Sequence, residues 1–374
     1  MRKFAAIVGA GFLLVLSAAP VGLAAAPPKN VIFFIGDGMG PEQVLAANYY
    51  NGGDLSFEAF TYQGFLTTYS ANSSVTDSAA AGTALATGIK VNNGVISMAY
   101  PGNSSELETL LEYARDRSKS TGLVSTTYLT HATPAAFGAH EPSRNNTSNI
   151  ATDYLSQTQP NILFGGGANG MSGAAATAAG YTVVTDAAGM LALNTNTETM
   201  VSGQFGSTHL PYEYDGLGSL PHLSDMTVTA LDTLDNDADG FFLMVEGGRI
   251  DHAGHSNDLP RNVLETIEFA NAVQEAIDWA VGRTDTLILV TADHETGGLT
   301  DVTDNGEGSY PDGTWSTTDH TATNVPVYAW GVNSDLISGT MDNTDMWNVV
   351  TLPEPATMAL LGFGVLALAI PKRR

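Results

Sequence analysis

The ten residues from Glu246 to His255, EGGRIDHAGH, hold two acids and two imidazoles. Asp251 and His255 are spaced i,i+4, so on a helical turn both side chains face one way and can share a cation. Glu246 ends the apolar run Phe241 to Val245, at the mouth of a buried strand, where open α/β sheets gather their ligands. The same grammar recurs twice. Asn30 to Ile35 (NVIFFI) runs into Gly36, Asp37, Gly38, Met39 and Gly40, and Thr286 to Thr291 (TLILVT) runs into Ala292, Asp293, His294 and two glycines at 297 and 298. His320 stands just before a further strand, Val325 to Trp330. Asp37, Glu246, Asp251, His255, Asp293, His294 and His320 therefore gather at strand ends or beside them. Carboxylate and imidazole without thiolate suit borderline or hard divalent ions such as zinc and magnesium. Two such ions about 4 Å apart can hold both the attacking and the leaving oxygen of a phosphoryl transfer.

The elements that must position these groups alternate between strand and helix, which implies an α/β fold with a largely parallel sheet. Val75 to Ser78 lead into an alanine-rich helix, so Asp77 or Ser78 lies at its N-terminus, as a cap or as an oxygen bathed in unpaired amides. A helix is expected from Ser104 or Ser105 to about Lys119, with Glu108 completing a capping box. A strand over Thr121 to Thr127 ends near His131 and Thr133, and Arg144 follows a short helix. His140 reads as a surface residue, and His209 and His222 have no ligand-like neighbours in sequence. Helices are expected from about His222 to Leu234 and over Leu259 to Val281, with strands over Asn161 to Phe164 and Tyr181 to Thr185. Asp235, Asp237, Asp239, Gly240 and Glu246 match a calcium-loop pattern, but an apolar strand and two glycines follow where such a loop needs a helix.

Composition limits the partners. The 374 residues carry a formal charge of −25 and no cysteine, which excludes disulfides and thiolate ligands. Arg2, Lys3, the apolar run from Phe4 and the small residues Ala24 and Ala26 read as a secretory signal peptide over residues 1–26. Met358 to Ile370 is apolar but short for an independent membrane span, and it ends in Lys372, Arg373 and Arg374. The chain between these ends keeps 38 acids against nine bases. That balance excludes nucleic acid as a partner and repels anionic substrates unless cations sit in the site.

In order along the chain, GDGMG (Gly36 to Gly40), TDSAAAGTA (Thr76 to Ala84), HATP (His131 to Pro134), EGGRIDHAGH, TADHETGG (Thr291 to Gly298) and His320 before VPVYAWG resemble the alkaline phosphatase family from about Asn30 to Gly331. The resemblance implies a single large α/β domain over residues 27–351, with a mostly parallel central sheet flanked by helices. It implies two zinc ions and one magnesium. Asp251, His255 and His320 would hold the first zinc; Asp37, Asp293 and His294 the second; and Asp37, Thr133 and Glu246 the magnesium. Ser78 would be the nucleophile, forming a phosphoserine, and Arg144 would clamp the phosphate. His131 and His252 stand near the third metal where the best-known bacterial members carry Asp and Lys, and histidine at both positions is similar to the animal-type enzymes. Only 26 positions separate His294 from His320, which predicts a compact member. A homodimer is the family-level expectation.

Leu352 to Ala356, the apolar run and the basic end (352–374) resemble a PEP-CTERM sorting signal, which implies export in a Gram-negative-type bacterium and association with the periplasm or cell envelope; a simple C-terminal membrane anchor is the alternative. The function these readings favour is a secreted phosphomonoesterase acting on small phosphate monoesters. The alternatives are a phosphodiesterase or sulfatase of the same superfamily, and a non-catalytic calcium-stabilised envelope protein.

Overall fold

The computed structural model describes residues 27–352, so the expected signal peptide and all but the first residue of the expected sorting segment lie outside the described residues. In chain order the strands are β1 (Asn30–Ile35), β2 (Tyr62–Thr67), β3 (Ser120–Tyr128), β4 (Ile162–Gly166), β5 (Thr182–Val184), β6 (Val201–Gln204), β7 (Phe241–Glu246), β8 (Thr286–Thr291), β9 (Glu295–Thr296), β10 (Leu299–Thr303), β11 (Asp312–Trp315), β12 (His320–Thr321), β13 (Val325–Gly331) and β14 (Gly339–Asp342). Ten of them form one sheet in the order β14-β2-β13-β8-β1-β7-β3-β4-β6-β5, and only β13 runs against the rest. The apolar runs read in the sequence become the middle of that sheet.

Every residue of β1, β7 and β8 is buried, as continuous apolar runs require in a sheet covered on both faces. Alternation within β1 shows both covers. Phe33 meets Phe137, from helix Ala132–Gly138, edge-on at 5.9 Å, while the next residue, Phe34, meets Phe269, from helix Leu259–Trp279, also at 5.9 Å. Each such ring contributes roughly 2 to 3 kcal/mol of burial as an upper estimate. Residues 27–352 form one compact unit.

Two sequence expectations fail. Residues 105–107 do not begin a helix, because they pair with 97–99: Ala99 N–H donates to Ser105 O (2.8 Å) and Leu107 N–H to Ser97 O (2.9 Å). Ser104 sits at φ 61°, outside helical space. The helix is Leu110–Arg115, capped by Thr109 with Glu112 closing the box, so Thr109-x-x-Glu112 wins over Ser105-x-x-Glu108. His140 is no surface residue; its side chain is 4% exposed and Nε2 lies 3.1 Å from Glu112. Burial works against its charge, but the Glu112 carboxylate and the Ser97 carbonyl overcome that and raise its pKa.

Register fixes where the loops converge. Ile35 of β1 stands level with Glu246 of β7 and Thr291 of β8, and Glu246 stands level with Ser125 of β3. Three strands thus end at one height beside β3, which runs on to Tyr128, and the segments that follow carry Asp37, Asp251 and Asp293.

Candidate metal centre and active site

The loop after β1 turns at Gly38, which has φ +73°; a Cβ there would lie 2.8 Å from both the Asp251 Cα and the Thr296 Oγ1. Only glycine lets this loop close against helix Arg249–His255 and β9, and that closure brings Asp37 beside Asp293. Gly38 N–H donates to Asp293 Oδ1 (3.1 Å), and His294 N–H donates to the same oxygen (2.9 Å). Antiparallel pairing of β12 with β9 sets His320 opposite Thr296, which delivers an imidazole from 26 residues downstream.

The imidazoles share one orientation. His255 Nδ1–H donates to Thr318 O, and His320 Nδ1–H donates to Thr76 O at 2.9 Å. Thr296 gives its hydroxyl proton to Asp251, so its oxygen accepts from His294 Nδ1–H at 3.2 Å. Each ring is thereby left with an Nε2 lone pair facing inward, the arrangement by which outer hydrogen bonds prepare histidine ligands. His255 Nε2 and His320 Nε2 are 3.2 Å apart, and Asp251 Oδ1 lies 3.4 and 3.6 Å from them. Two facing lone pairs and a carboxylate repel one another unless a cation stands between them. This donor set fits zinc.

A second group follows through His294, whose Nε2 lies 3.2 Å from Asp293 Oδ2 and 3.5 Å from Asp37 Oδ1. Asp37, Asp293 and His294 are fully buried. Neither Asp37 oxygen has a hydrogen-bond partner, nor does Asp293 Oδ2. Burial, then the neighbouring carboxylates, pushes Asp37 well above the usual carboxylate range; burial lifts Asp293 to about 6 and holds His294 well below its ordinary value. A third group, Asp37, His131 and Glu246, is oxygen-rich once the partnerless Thr133 Oγ1 is added. Glu246 binds the Ser125 and Thr127 hydroxyls through Oε2, leaving Oε1 unpaired, and burial raises it to about 7. Orphaned buried oxygens of this kind are what magnesium would satisfy.

Ser78 begins helix Ser78–Thr87, whose ten residues are all buried. Asp77 caps it by accepting from Ala80 N–H (3.0 Å), and Ser78 Oγ lies 3.2 Å from His294 Nε2. Arg144 donates to Asp77 Oδ2 (3.1 Å) and to His131 Nε2 (3.3 Å), which spreads its fork beside the serine helix. The structure thus brings Ser78, Asp37, Asp293, His294, Asp251, His255 and His320 into one chain of contacts, with Thr133, Glu246, His131 and Arg144 adjoining them.

Three groups at this site were not singled out from the sequence. His209 reaches it because Leu210 N–H donates to Thr126 O (2.9 Å), and its ring centroid stands 4.4 Å from His252 and 5.6 Å from His131. Its position beyond β6, on the edge that also carries the β3 end, is the signal that could have found it. Thr296 sets the His294 ring. Arg249 donates to His252 Nδ1 at 2.9 Å with its guanidinium 3.7 Å over Tyr212. His222, by contrast, pairs with Glu213 at 2.9 Å away from these groups. The aspartate-rich loop is not an EF-hand. Helix Leu223–Leu234 precedes it but β7 follows, so Glu246 lies about 20 Å up that strand, while Asp237 accepts from Ser120 and Asp235 pairs with Arg283.

Comparison with known proteins decides the lineage, since the family model described as alkaline phosphatase matches residues 28–311. The chain belongs to the alkaline phosphatase family. Alkaline phosphatase 3 of Bacillus subtilis (strain 168) is 41% identical over 289 residues, 72% of this chain and 62% of its own length, so the chain spans less than two thirds of that relative. Streptomycin-6-phosphate phosphatase of Streptomyces griseus is 32% identical over 92% of this chain and 96% of its own. The structure of alkaline phosphatase from the Antarctic bacterium TAB5 superposes with a TM-score of 0.78 at 31% identity, covering 87% of this chain and 97% of that one. A PEP-CTERM protein-sorting motif matches residues 351–374 of this alkaline phosphatase family member.

Proposed function

We propose that this protein hydrolyses phosphate monoesters through a covalent phosphoserine on Ser78. The observation that carries the reading is the inward convergence of the Nε2 lone pairs of His255, His320 and His294 on Asp251, Asp293 and Asp37, directly beside the Ser78 oxygen. Zinc held by Asp251, His255 and His320, zinc held by Asp37, Asp293 and His294, and magnesium held by Asp37, Thr133 and Glu246 would supply charge stabilisation of the attacking and leaving oxygens. In support of magnesium in the third group, a histidine-to-aspartate variant of the TAB5 enzyme has magnesium bound in its M3 site.

The chain's own residues do the rest. Ser78 Oγ forms the bond to phosphorus as the ester alkoxide leaves, and water then replaces Oγ, releasing inorganic phosphate and restoring the serine. The amides opening the serine helix and its dipole favour the anion in both steps. Arg144 clamps two phosphate oxygens with its planar fork, and Asp77 aims that fork. A clamp and a third cation group together serve a dianionic terminal phosphate, which favours monoesters over diesters. The sorting motif and the basic, apolar N-terminus support export to the periplasm or envelope.

Elemental analysis beside p-nitrophenyl phosphate hydrolysis at alkaline pH, before and after chelation, tests this. Expected are near two zinc per chain and activity that falls with chelator and returns with zinc. A preference for bis(p-nitrophenyl) phosphate would overturn the monoester reading, and calcium alone with no hydrolysis would overturn the enzyme reading.

A further inference from the structure

Arg249 opens helix Arg249–His255 and is half-buried. None of the ion pairs within 4.0 Å among the described residues includes it. Its Nε is buried without a partner, its guanidinium carbon stands 3.7 Å over the Tyr212 ring, and its NH1 reaches His252 Nδ1 at 2.9 Å. A half-buried arginine with an unpaired Nε and no carboxylate at salt-bridge distance costs stability, so the contact it does make calls for explanation.

That contact has only one chemical meaning. Arginine offers donors and no acceptor, so His252 Nδ1 must accept, and the ring's proton must sit on Nε2. His252 Nε2 has no partner among the described residues and is not buried. The ring cannot turn away easily, because His209 crosses it at 4.4 Å and His131 stands 5.8 Å off on the side where Arg144 touches His131. We infer that Arg249 is a positioning residue that locks His252 in the Nε2–H form, so that the imidazole shows a hydrogen-bond donor to the anion on the Arg144 side. The opposite tautomer would face a phosphate ester with a lone pair and repel it. Tyr212 is part of the device: its ring backs the guanidinium at 3.7 Å while NH1 reaches His252, which a lysine's rotating ammonium would not reproduce.

The kinetic consequence rests on the phosphatase reading; the tautomer itself does not. Long-range proton–nitrogen NMR on the 15N-labelled, metal-loaded protein, with the His252 signals assigned by their loss in His252→Gln, reads it directly. Wild type is expected to show Nε2 protonated and Nδ1 bare, and Arg249→Met to show a mixture or the reverse. In turnover of p-nitrophenyl phosphate, Arg249→Met is expected to raise KM on the order of tenfold, more than it lowers kcat, with Arg249→Lys recovering part of the loss. Should Arg249→Met fold poorly, Tyr212→Leu replaces it, and a partial shift to the other tautomer is expected. An Nδ1-protonated His252 in wild type, or an unmoved tautomer in a folded variant, overturns the inference. If wild type shows the Nε2–H form but hydrolyses nothing, the phosphatase reading fails and the lock stands.

Discussion

At the scale of residues, the proposed reaction depends most on one oxygen. Ser78→Ala removes it while leaving the helix cap on Asp77 and all three cation groups in place. Turnover is therefore expected to fall by at least about three orders of magnitude, with zinc content and melting temperature unchanged. Residual activity within tenfold of wild type, at equal metal content, would mean that water attacks directly. The ligands around Ser78 were legible in sequence because each is local to a motif: Asp251 and His255 one helical turn apart, Asp37 and Asp293 each just past an apolar run. What could not be read is which nitrogen each ring presents. That depends on carbonyls from elsewhere, Thr318 for His255 and Thr76 for His320. His209 was missed for the same reason, since its partners come from distant elements; Arg249 stands at i,i+3 from His252 on one helix, but the Tyr212 ring that backs it comes from a distant loop.

At the scale of elements, the helix Ser78–Thr87 is tied to the rest of the site through its cap. Asp77 Oδ1 accepts from Ala80 N–H and Gly94 N–H, each at 3.0 Å, while Oδ2 accepts from Arg144. Asparagine keeps an oxygen for the cap but loses the charge that aims Arg144. Asp77→Asn is thus expected to hold stability close to wild type and raise KM severalfold, whereas Asp77→Ala loses about 1 kcal/mol more in urea unfolding. Equal stability of the two variants would show that the cap contributes nothing here. The central strands were readable from their apolar runs, and the helix at Leu259 from its period. The segment before Leu110 was not, because its serines satisfy a capping pattern while its backbone pairs with residues 97–99. Non-local pairing overrode a sound local signal, and it did so again for His140, drawn inward by Glu112.

At the scale of the molecule, the balance is between too many carboxylates and the cations that offset them. Burial lifts Glu246 to about 7, and outside the metal groups it lifts Glu265 to about 8. A carboxylate whose folded pKa exceeds its unfolded value binds protons better in the native state, so stability falls as pH rises toward the folded pKa. His252 and His209, which have no carboxylate partner among the described residues, act oppositely: burial holds them at about 4 and about 3, which favours the native state as pH rises, but only until unfolded histidines are neutral near pH 6.5. Above that the raised carboxylates act together with His140, whose pKa, against burial, the Glu112 carboxylate raises, so that its contribution too is lost as pH rises. Metal-free protein is therefore expected to lose stability between about pH 6.5 and 8.5, on the order of 2 kcal/mol. Loaded protein should lose less, because bound cations keep Glu246 ionised throughout. The slope that remains belongs to Glu265, on helix Leu259–Trp279, with Glu213, lifted by burial to about 7, and His140; Glu265→Gln should remove the largest share, since the amide oxygen can still accept from Glu213 N–H as Glu265 Oε1 does at 2.8 Å. Urea unfolding at several pH values, with and without chelator, separates the two sources. Parallel curves for loaded and metal-free protein across this window would show that the buried carboxylates at the strand ends bind no cation, and the metal centre would fall with them.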